Sequence, residues 1–187
     1  MWAALARLIL KVAGWTVVGE LPKVDKAVLI GAPHTSNWDG IWGMEWRVST
    51  GTRINFFAKR SLFWFPLNCI LRVLGGVPID RDRAGGAVQQ AIDLINTHSP
   101  IIFGLSPEGT RRNTEYWKSG FYRIAEATGV PVILGFFDYQ RKRIGVGSVL
   151  HLTGDRDADL DVIRKVYEAF GGPLYPEKVG PINFRPE

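Results

Sequence analysis

Cysteine and histidine are scarce in this sequence of 187 residues, which contains one Cys and three His. A single cysteine excludes an intrachain disulfide, and so few potential ligands make a Cys/His zinc site hard to assemble. Internal repeats, low-complexity runs and linker-like stretches are also missing. Hydrophobic residues make up 46% and charged residues 22% of the chain, which excludes a disordered or collagen-like protein. We expect one compact domain.

The sequence also lacks an uninterrupted apolar run long enough to span a membrane. Its first residues are mostly apolar, but Arg7 and Lys11 interrupt them, whereas a spanning helix needs about 20 apolar residues. A cleaved signal peptide would carry its charges before the apolar run. We interpret residues 1–20 as an amphipathic helix at a membrane interface, flanked by Trp2 and Trp15, and a first strand. The alternative is a helix that packs on the core with both cations facing water.

Positive charge and tryptophan are unevenly distributed along the chain. The net charge is +5, and residues 1–79 alone hold nine Lys or Arg against four acidic residues. Six of the seven Trp lie in the first 64 residues. Basic residues among aromatic ones are typical of a surface that docks on anionic lipid, or of one that stacks single-stranded nucleic acid. Composition by itself does not choose between these two partners.

Short β-branched runs alternate with stretches of helical periodicity, a pattern typical of α/β proteins. We therefore predict an α/β fold with a mixed, mostly parallel sheet flanked by helices, preceded by the interfacial helix. The predicted strands cover residues 15–18, 27–32, 54–58, 76–79, 100–105, 131–137 and 143–150. The predicted helices cover residues 40–49, 67–74, 84–97, 117–128 and 158–170.

A histidine and an aspartate follow the predicted strand 27–32. His34 and Asp39 lie in the segment Pro-His-Thr-Ser-Asn-Trp-Asp-Gly, and ligands of open α/β sheets bind at the carboxyl ends of strands. A carboxylate that holds one ring nitrogen of a histidine fixes its tautomer, and the other nitrogen can then take a proton from a hydroxyl. The pattern indicates a general base. Ser36, Asn37 and Asp39 are also ordinary residues for a helix start, which is the structural alternative.

Arginines follow two other predicted strands. The fifth strand leads into Ser-Pro-Glu-Gly-Thr-Arg-Arg at 106–112, and the fourth leads into Arg81. Gly109 allows the backbone to approach a ligand closely, while the Thr110 hydroxyl and the Arg111 guanidinium suit phosphate binding. A plain turn with a solvated basic pair is the alternative. Three strand ends together indicate a site more strongly than each one alone.

Four blocks of the sequence resemble the glycerophospholipid acyltransferases of the lysophosphatidic acid acyltransferase type. They are the His-four-residues-Asp block at 34–39, Gly-Val-Pro-Ile-Asp-Arg at 76–81, Pro-Glu-Gly-Thr-Arg at 107–111 and Val-Pro-Val-Ile-Leu at 130–134. The segment Ala-Lys-Arg-Ser-Leu-Phe at 58–63 is similar to the family segment between the first two blocks. The resemblance covers more than half of the chain in the family order.

This resemblance implies transfer of a fatty acyl group from acyl-CoA or acyl-carrier protein to a hydroxyl of a phosphorylated lipid, such as lysophosphatidic acid. It implies His34 as general base and Asp39 as the residue that orients it, within a catalytic domain of residues 21–187. It also implies a peripheral enzyme on the anionic cytoplasmic face of a membrane, without cofactor, metal or nucleic acid. The residues implied for the acceptor phosphate are Glu108, Gly109, Thr110, Arg111, Arg81 and Lys59.

Three positions depart from the family pattern, Pro33, Pro78 and Leu134. The first two concern the acceptor and the fit of its headgroup, so the sequence leaves the acceptor open. A non-enzymatic basic module that binds lipid or single-stranded nucleic acid would explain the composition, but it leaves the His/Asp pair and the Glu-Gly-Thr-Arg segment unexplained. A thioester hydrolase is a further alternative within the enzymes.

Overall fold

The computed structural model describes residues 2–80, 85–170 and 172–185. These residues contain seven strands and six helices, joined by loops. The strands are β1 (Thr16–Val18), β2 (Lys26–Ala32), β3 (Ile54–Lys59), β4 (Gly76–Ile79), β5 (Ile101–Leu105), β6 (Val132–Asp138) and β7 (Arg143–Leu150). The helices are α1 (Trp2–Val12), α2 (Asn37–Thr50), α3 (Leu67–Val73), α4 (Gly86–Thr97), α5 (Gly120–Thr128) and α6 (Arg156–Phe170). Short 3₁₀ turns cover Arg60–Leu62 and Pro176–Lys178.

The strands form one sheet in the order β1-β7-β6-β2-β5-β3-β4. Paired strands run parallel except β6 and β7, which are antiparallel. Residues 139–142 alone join these two strands, and so short a connection cannot make the crossover that a parallel pair requires. At the centre of the sheet, Val28 of β2 pairs with Phe103 of β5 and with Val132 of β6. The predicted mixed, mostly parallel α/β sheet is confirmed.

Successive side chains of β2 enter hydrophobic cores on opposite faces of the sheet. Val28 and Ile30 pack in the core beneath α4, α5 and α6, whereas Ala27 and Leu29 pack in the core beneath α1 and α2. A strand that is covered on both faces needs apolar residues at every position, which is why β2 forms a continuous apolar run. Burial on both faces fixes the carboxyl end of β2, where the loop at residues 33–36 begins.

Helix α1 both packs on the core and exposes an apolar face. Ala6 and Leu10 are buried against the core, and Arg7 Nε donates to the backbone oxygen of Ser49 in α2 at 2.9 Å. Trp15 is 4% exposed, so the prediction that it flanks a membrane interface is wrong. No helix among the described residues is both long and apolar enough to cross a membrane. The exposed apolar residues of α1 are Trp2, Leu5, Leu8, Ile9 and Val12.

All seven predicted strands agree with the observed ones to within one residue at each end, whereas the starts of α2 and α5 each differ by three residues. Helix α2 begins at Asn37 rather than at Gly40 because Ser36 caps it. Helix α5 begins at Gly120 rather than at Trp117, since the Trp117 backbone N–H donates to Asn183 O at 2.8 Å in a bridge to the C-terminal segment. Residue 84, the predicted start of the fourth helix, lies outside the described residues.

Candidate active site

The start of α2 brings Asp39 back beneath the loop that follows β2. Ser36 is the helix N-cap, and its Oγ accepts from the Trp38 backbone N–H at 3.1 Å. The Asp39 carboxylate reaches back in a capping box, and its Oδ2 accepts from the backbone N–H groups of Thr35 at 2.7 Å and Ser36 at 2.8 Å. These bonds satisfy donors that a helix start leaves free. They also place a fully buried carboxylate directly under His34.

His34 and Asp39 form a pair with one defined tautomer. His34 Nδ1 lies 3.2 Å from Asp39 Oδ2, and the His34 side chain is 21% exposed. Because an ionised carboxylate only accepts hydrogen bonds, Nδ1 carries the proton and Nε2 keeps its lone pair. Arg111 Nε donates to Nε2 at 3.4 Å, which agrees with this tautomer. The structure therefore joins the helix-start role and the histidine-orienting role in one aspartate.

The pKa of Asp39 lies below its ordinary value of 3.8. Burial by itself raises this pKa, but the hydrogen bonds from His34, Tyr139 and the Ser36 backbone, together with the charge of His34, lower it further than burial raises it. Hydrogen bonds to the charged form of an acid favour that form. Asp39 is therefore an anion at neutral pH, able to stabilise a protonated His34.

Glu108 ties the loop after β5 to the loop after β2. It is 8% exposed, its Oε1 accepts from the His34 backbone N–H at 3.0 Å and its Oε2 accepts from the Ser106 hydroxyl at 2.6 Å. Burial raises the pKa of Glu108, and these hydrogen bonds offset only part of that effect. Both carboxylate oxygens are thus directed into the protein. Its predicted part in an acceptor-phosphate site remains a prediction, and its observed contacts position the His34 loop.

Cationic groups gather beside His34 on the loop after β5. Arg111 contacts the His34 ring, and the Arg112 backbone N–H donates to Thr110 Oγ1 at 3.2 Å. Gly109 has a φ of 63°, in the left-handed region that suits glycine. A Cβ atom placed on Gly109 would lie 2.8 Å from Lys118 Cε and Nζ, so the ammonium group of Lys118 passes directly over this glycine.

Of the two remaining predicted phosphate contacts, only Lys59 belongs to the described residues, and it lies apart from the site. Lys59 ends β3, which lies two strands from β2, and it is exposed. It is not among the described residues that line the cavity at His34. Arg81 lies outside the described residues. Sequence reasoning also missed Lys118, which lines the cavity. A single Lys between Trp117 and Ser119 belongs to no motif that would indicate a site.

A cavity of about 1030 Å³ opens at the His34–Asp39 pair. Arg111, Arg112 and Lys118 belong to its polar lining. Glycines and phenylalanines are prominent in the rest of its lining, together with aliphatic residues such as Leu29 and Ile144. Its glycines and phenylalanines include Gly31, Gly43, Gly104, Gly135, Phe56, Phe57, Phe103, Phe121, Phe136 and Phe137. Its volume slightly exceeds the range of about 300 to 1,000 Å³ that is typical of small-molecule pockets.

A metal is not required to explain any of these contacts. Within residues 2–80, 85–170 and 172–185, no three His, Cys, Asp or Glu side chains are grouped as a metal site would need. The polar groups of the site are instead paired with one another, His34 with Asp39 and Glu108 with Ser106.

A His–Asp pair lies at the carboxyl edge of the α/β sheet, with Arg111 in contact with the histidine and a largely apolar cavity behind it. This arrangement is that of a candidate enzyme active site. The family model of the Acyltransferase family matches residues 15–133, more than half of the chain, and the chain belongs to this family. It is therefore an acyltransferase, and the resemblance seen in the sequence is confirmed.

The fold is similar to that of a solved acyltransferase. The crystal structure of the 1-acyl-sn-glycerophosphate (LPA) acyltransferase PlsC from Thermotoga maritima superposes with a TM-score of 0.59 at 20% sequence identity, and the match covers 92% of this chain and 80% of PlsC. At this identity the likeness shows the fold. Comparison with curated protein sequences gives no match.

Proposed function

We propose that this acyltransferase moves a fatty acyl group from an acyl-CoA or acyl-carrier-protein thioester to a hydroxyl of a phosphorylated lyso-lipid. The observation that carries the proposal is the His34–Asp39 pair at the mouth of an apolar cavity, with Arg111 in contact with the histidine. The cavity suits an acyl chain, the cations suit a phosphate, and His34 lines the same cavity in contact with Arg111. The similarity to PlsC supports a lyso-phospholipid acceptor.

In the proposed reaction His34 Nε2 takes the proton of the acceptor hydroxyl as its oxygen attacks the thioester carbonyl carbon. The new carbon–oxygen bond forms a tetrahedral intermediate, which collapses by breaking the carbon–sulfur bond. A thiol has a pKa near 8.5, so the thiolate leaves readily and then takes the proton from His34. The buried anion Asp39 stabilises the imidazolium between these two proton transfers. Base catalysis therefore suffices, with the acyl donor as co-substrate and no cofactor.

The acceptor phosphate is proposed to bind the loop after β5. Arg111 offers a planar guanidinium that matches a phosphate in two hydrogen bonds, while Thr110 and Lys118 add a hydroxyl and an ammonium group nearby. A phosphate that draws Arg111 toward itself leaves Nε2 of His34 available to the acceptor hydroxyl. Glu108 serves this site indirectly, because the hydrogen bond that it accepts from the His34 backbone N–H ties the His34 loop to the Arg111 loop.

A membrane surface is proposed as the place where the acceptor is taken up. In addition to the exposed apolar face of α1, the segment before α3 exposes Trp64 by 58% and Phe65 by 81%. Helices α2 and α3 adjoin, since Arg47 Nη2 donates to Val73 O at 3.5 Å. Apolar side chains with basic neighbours are typical of a protein that rests on anionic lipid. We infer a peripheral position on the cytoplasmic face.

Free-thiol release from an acyl-CoA, measured with and without a panel of lyso-phospholipids, tests the reaction. We expect His34→Ala to lower kcat by about 10²- to 10⁴-fold, the usual effect of losing a general base. His151→Ala, which removes an exposed histidine that follows β7, is the matched control and should keep wild-type turnover. Arg111→Ala should chiefly raise the KM of the phosphorylated acceptor.

Each proposed role has an outcome that would remove it. Wild-type turnover by purified His34→Ala would exclude the base, and an unchanged acceptor KM in Arg111→Ala would exclude the phosphate contact. Thiol release that proceeds at the same rate without any acceptor would identify a thioester hydrolase instead.

A further inference from the structure

Tyr139 makes a short hydrogen bond to the buried aspartate of the proposed base. Its hydroxyl donates to Asp39 Oδ1 at 2.6 Å, across 100 positions of sequence. The other carboxylate oxygen, Oδ2, faces His34 and the backbone N–H groups of Thr35 and Ser36. Among the described residues, the Tyr139 hydroxyl is the donor bonded to Oδ1. The two oxygens of Asp39 are thus bound from two directions, and rotation of the carboxylate would break bonds on both sides.

The ring of Tyr139 is itself held in place by its neighbours. It packs edge-on against Trp15 with ring centroids 5.0 Å apart, and Trp15 packs in turn against Trp42 of α2 at 5.2 Å. The Tyr139 backbone N–H donates to Gly172 O at 2.6 Å. The pKa of Tyr139 is raised, first by burial and then by Asp39, so its hydroxyl keeps the proton that it donates.

We propose that Tyr139 is a positioning residue for the general base, which fixes the rotation of Asp39 and sets the basicity of His34. This inference rests on the proposed function, in which His34 accepts a proton. A hydroxyl that donates to a carboxylate withdraws part of its negative charge. Asp39 therefore stabilises a protonated His34 less than a carboxylate without this hydrogen bond would.

Other charged or titratable groups also face the His34–Asp39 pair. Glu108 accepts from the His34 backbone N–H, Arg111 donates to Nε2, and Tyr175 of the C-terminal segment acts electrostatically on Tyr139. Arg111 disfavours the protonated ring, whereas Glu108 favours it. These groups set a background that a change at Tyr139 leaves in place, so the effect of the tyrosine can be measured as a difference.

The experiment compares the pH dependence of kcat/KM in the wild type and in Tyr139→Phe. The variant removes a hydrogen bond to the ionised carboxylate, so Asp39 recovers negative charge that acts on His34. We expect the acid limb of the profile to move up by about half to one pH unit, which corresponds to a change of about three- to tenfold in an acid dissociation constant. We expect kcat at its optimum to fall about 10-fold and both KM values to stay within about 2-fold.

Tyr122→Phe is the matched control. The Tyr122 hydroxyl donates to the buried Asp159 with a bond length of 2.8 Å, and this pair lies outside the site. It should leave the acid limb unmoved. Site-specific replacement of Tyr139 by 3-fluorotyrosine keeps the ring and makes the hydroxyl a stronger donor, so the acid limb should move down. This replacement also decides the question if Tyr139→Phe does not fold. Opposite shifts in the two variants are not expected of a merely structural residue.

The outcomes separate this inference from the proposed function. Turnover retained by His34→Ala would refute the general base, whatever Tyr139 does. If His34→Ala is inactive while the acid limb stays unmoved in Tyr139→Phe and with 3-fluorotyrosine, the base stands and the role of Tyr139 is refuted.

Discussion

Replacing Asp39 by asparagine tests how much of the proposed base depends on a negative charge. The surrounding donors decide how an amide would lie, because the backbone N–H groups of Thr35 and Ser36 point at Oδ2. The amide oxygen must occupy that position, and the amide nitrogen then faces the Tyr139 oxygen, which can turn its hydroxyl and accept. The amide oxygen of the variant can therefore still accept from His34 Nδ1, and the tautomer is kept while the charge is lost.

The cost of that lost charge follows from the geometry of the pair. His34 Nδ1 and Asp39 Oδ2 are 3.2 Å apart, and the imidazolium charge is spread over the ring, so an effective separation of about 4 Å is appropriate. Two unit charges at that distance interact by about 4 kcal/mol at an effective dielectric constant near 20. We therefore expect Asp39→Asn to lower kcat about 10³-fold with unchanged KM.

The assay is acceptor-dependent thiol release under single-turnover conditions, with Asp159→Asn as control. Asp159 is buried and accepts from Tyr122 and from Thr153, so its variant loses a buried charge outside the site and should keep kcat. A loss of kcat below 10-fold in Asp39→Asn would refute the electrostatic reasoning.

Stability supplies a second readout of the same substitution. The lowered pKa of Asp39 stabilises the fold at pH values above 3.8, its ordinary pKa. That contribution disappears as pH falls through the folded-state pKa of Asp39. The melting temperatures of the wild type and of Asp39→Asn should therefore approach each other in acid.

Two further predictions concern the cavity and the exposed apolar surface that is proposed to bind the membrane. Gly43→Ala should raise stability by about 0.5 to 1 kcal/mol, since alanine favours a helix interior and its Cβ would meet Phe137 at an ordinary 3.5 Å. It should also lower kcat/KM for long acyl donors by about 4-fold for each methylene displaced; equal losses for short and long donors would contradict the acyl-chain assignment. Phe65→Ser should weaken cosedimentation with anionic vesicles about 10-fold or more, as expected for an aromatic ring buried in lipid. Val162→Ser, at an exposed position of α6, should bind as the wild type does, and equal binding by both variants would exclude this surface.

Much of the fold can be predicted because local periodicity and burial agree in this chain. The strands at 76–79 and 143–150 match the observed bounds of β4 and β7. The predicted start of helix α2 is three residues too late. Gly40 suggests a loop, and the sequence offers Asp39 either as a helix-capping residue or as the partner of His34, whereas in the structure it is both. The position of Trp15 is predicted wrongly because composition does not show whether tertiary packing buries an aromatic residue or leaves it exposed.

The candidate site can be predicted where its residues lie close together in sequence. His34 and Asp39 share a short segment, and the spacing together with the preceding strand is enough to pair them. Glu108 is found through its motif, but its inward direction depends on a hydrogen bond to His34 across 74 positions. Sequence reasoning missed Tyr139, although it follows a strand parallel to β2 at the same edge of the sheet, where the rule for ligand sites in α/β folds would have directed attention.

The long sequence separations within the site have a consequence for the order in which a newly made chain becomes active. The histidine and its aspartate are synthesised early, whereas Glu108 and Tyr139 follow 74 and 100 positions after the groups that they bind. A nascent chain that has folded only through β5 holds His34 without its full set of supports. The proposed base is complete only after β6 has paired with β2, so we expect a partly made chain to turn over thioesters poorly until this late part of the sheet has formed.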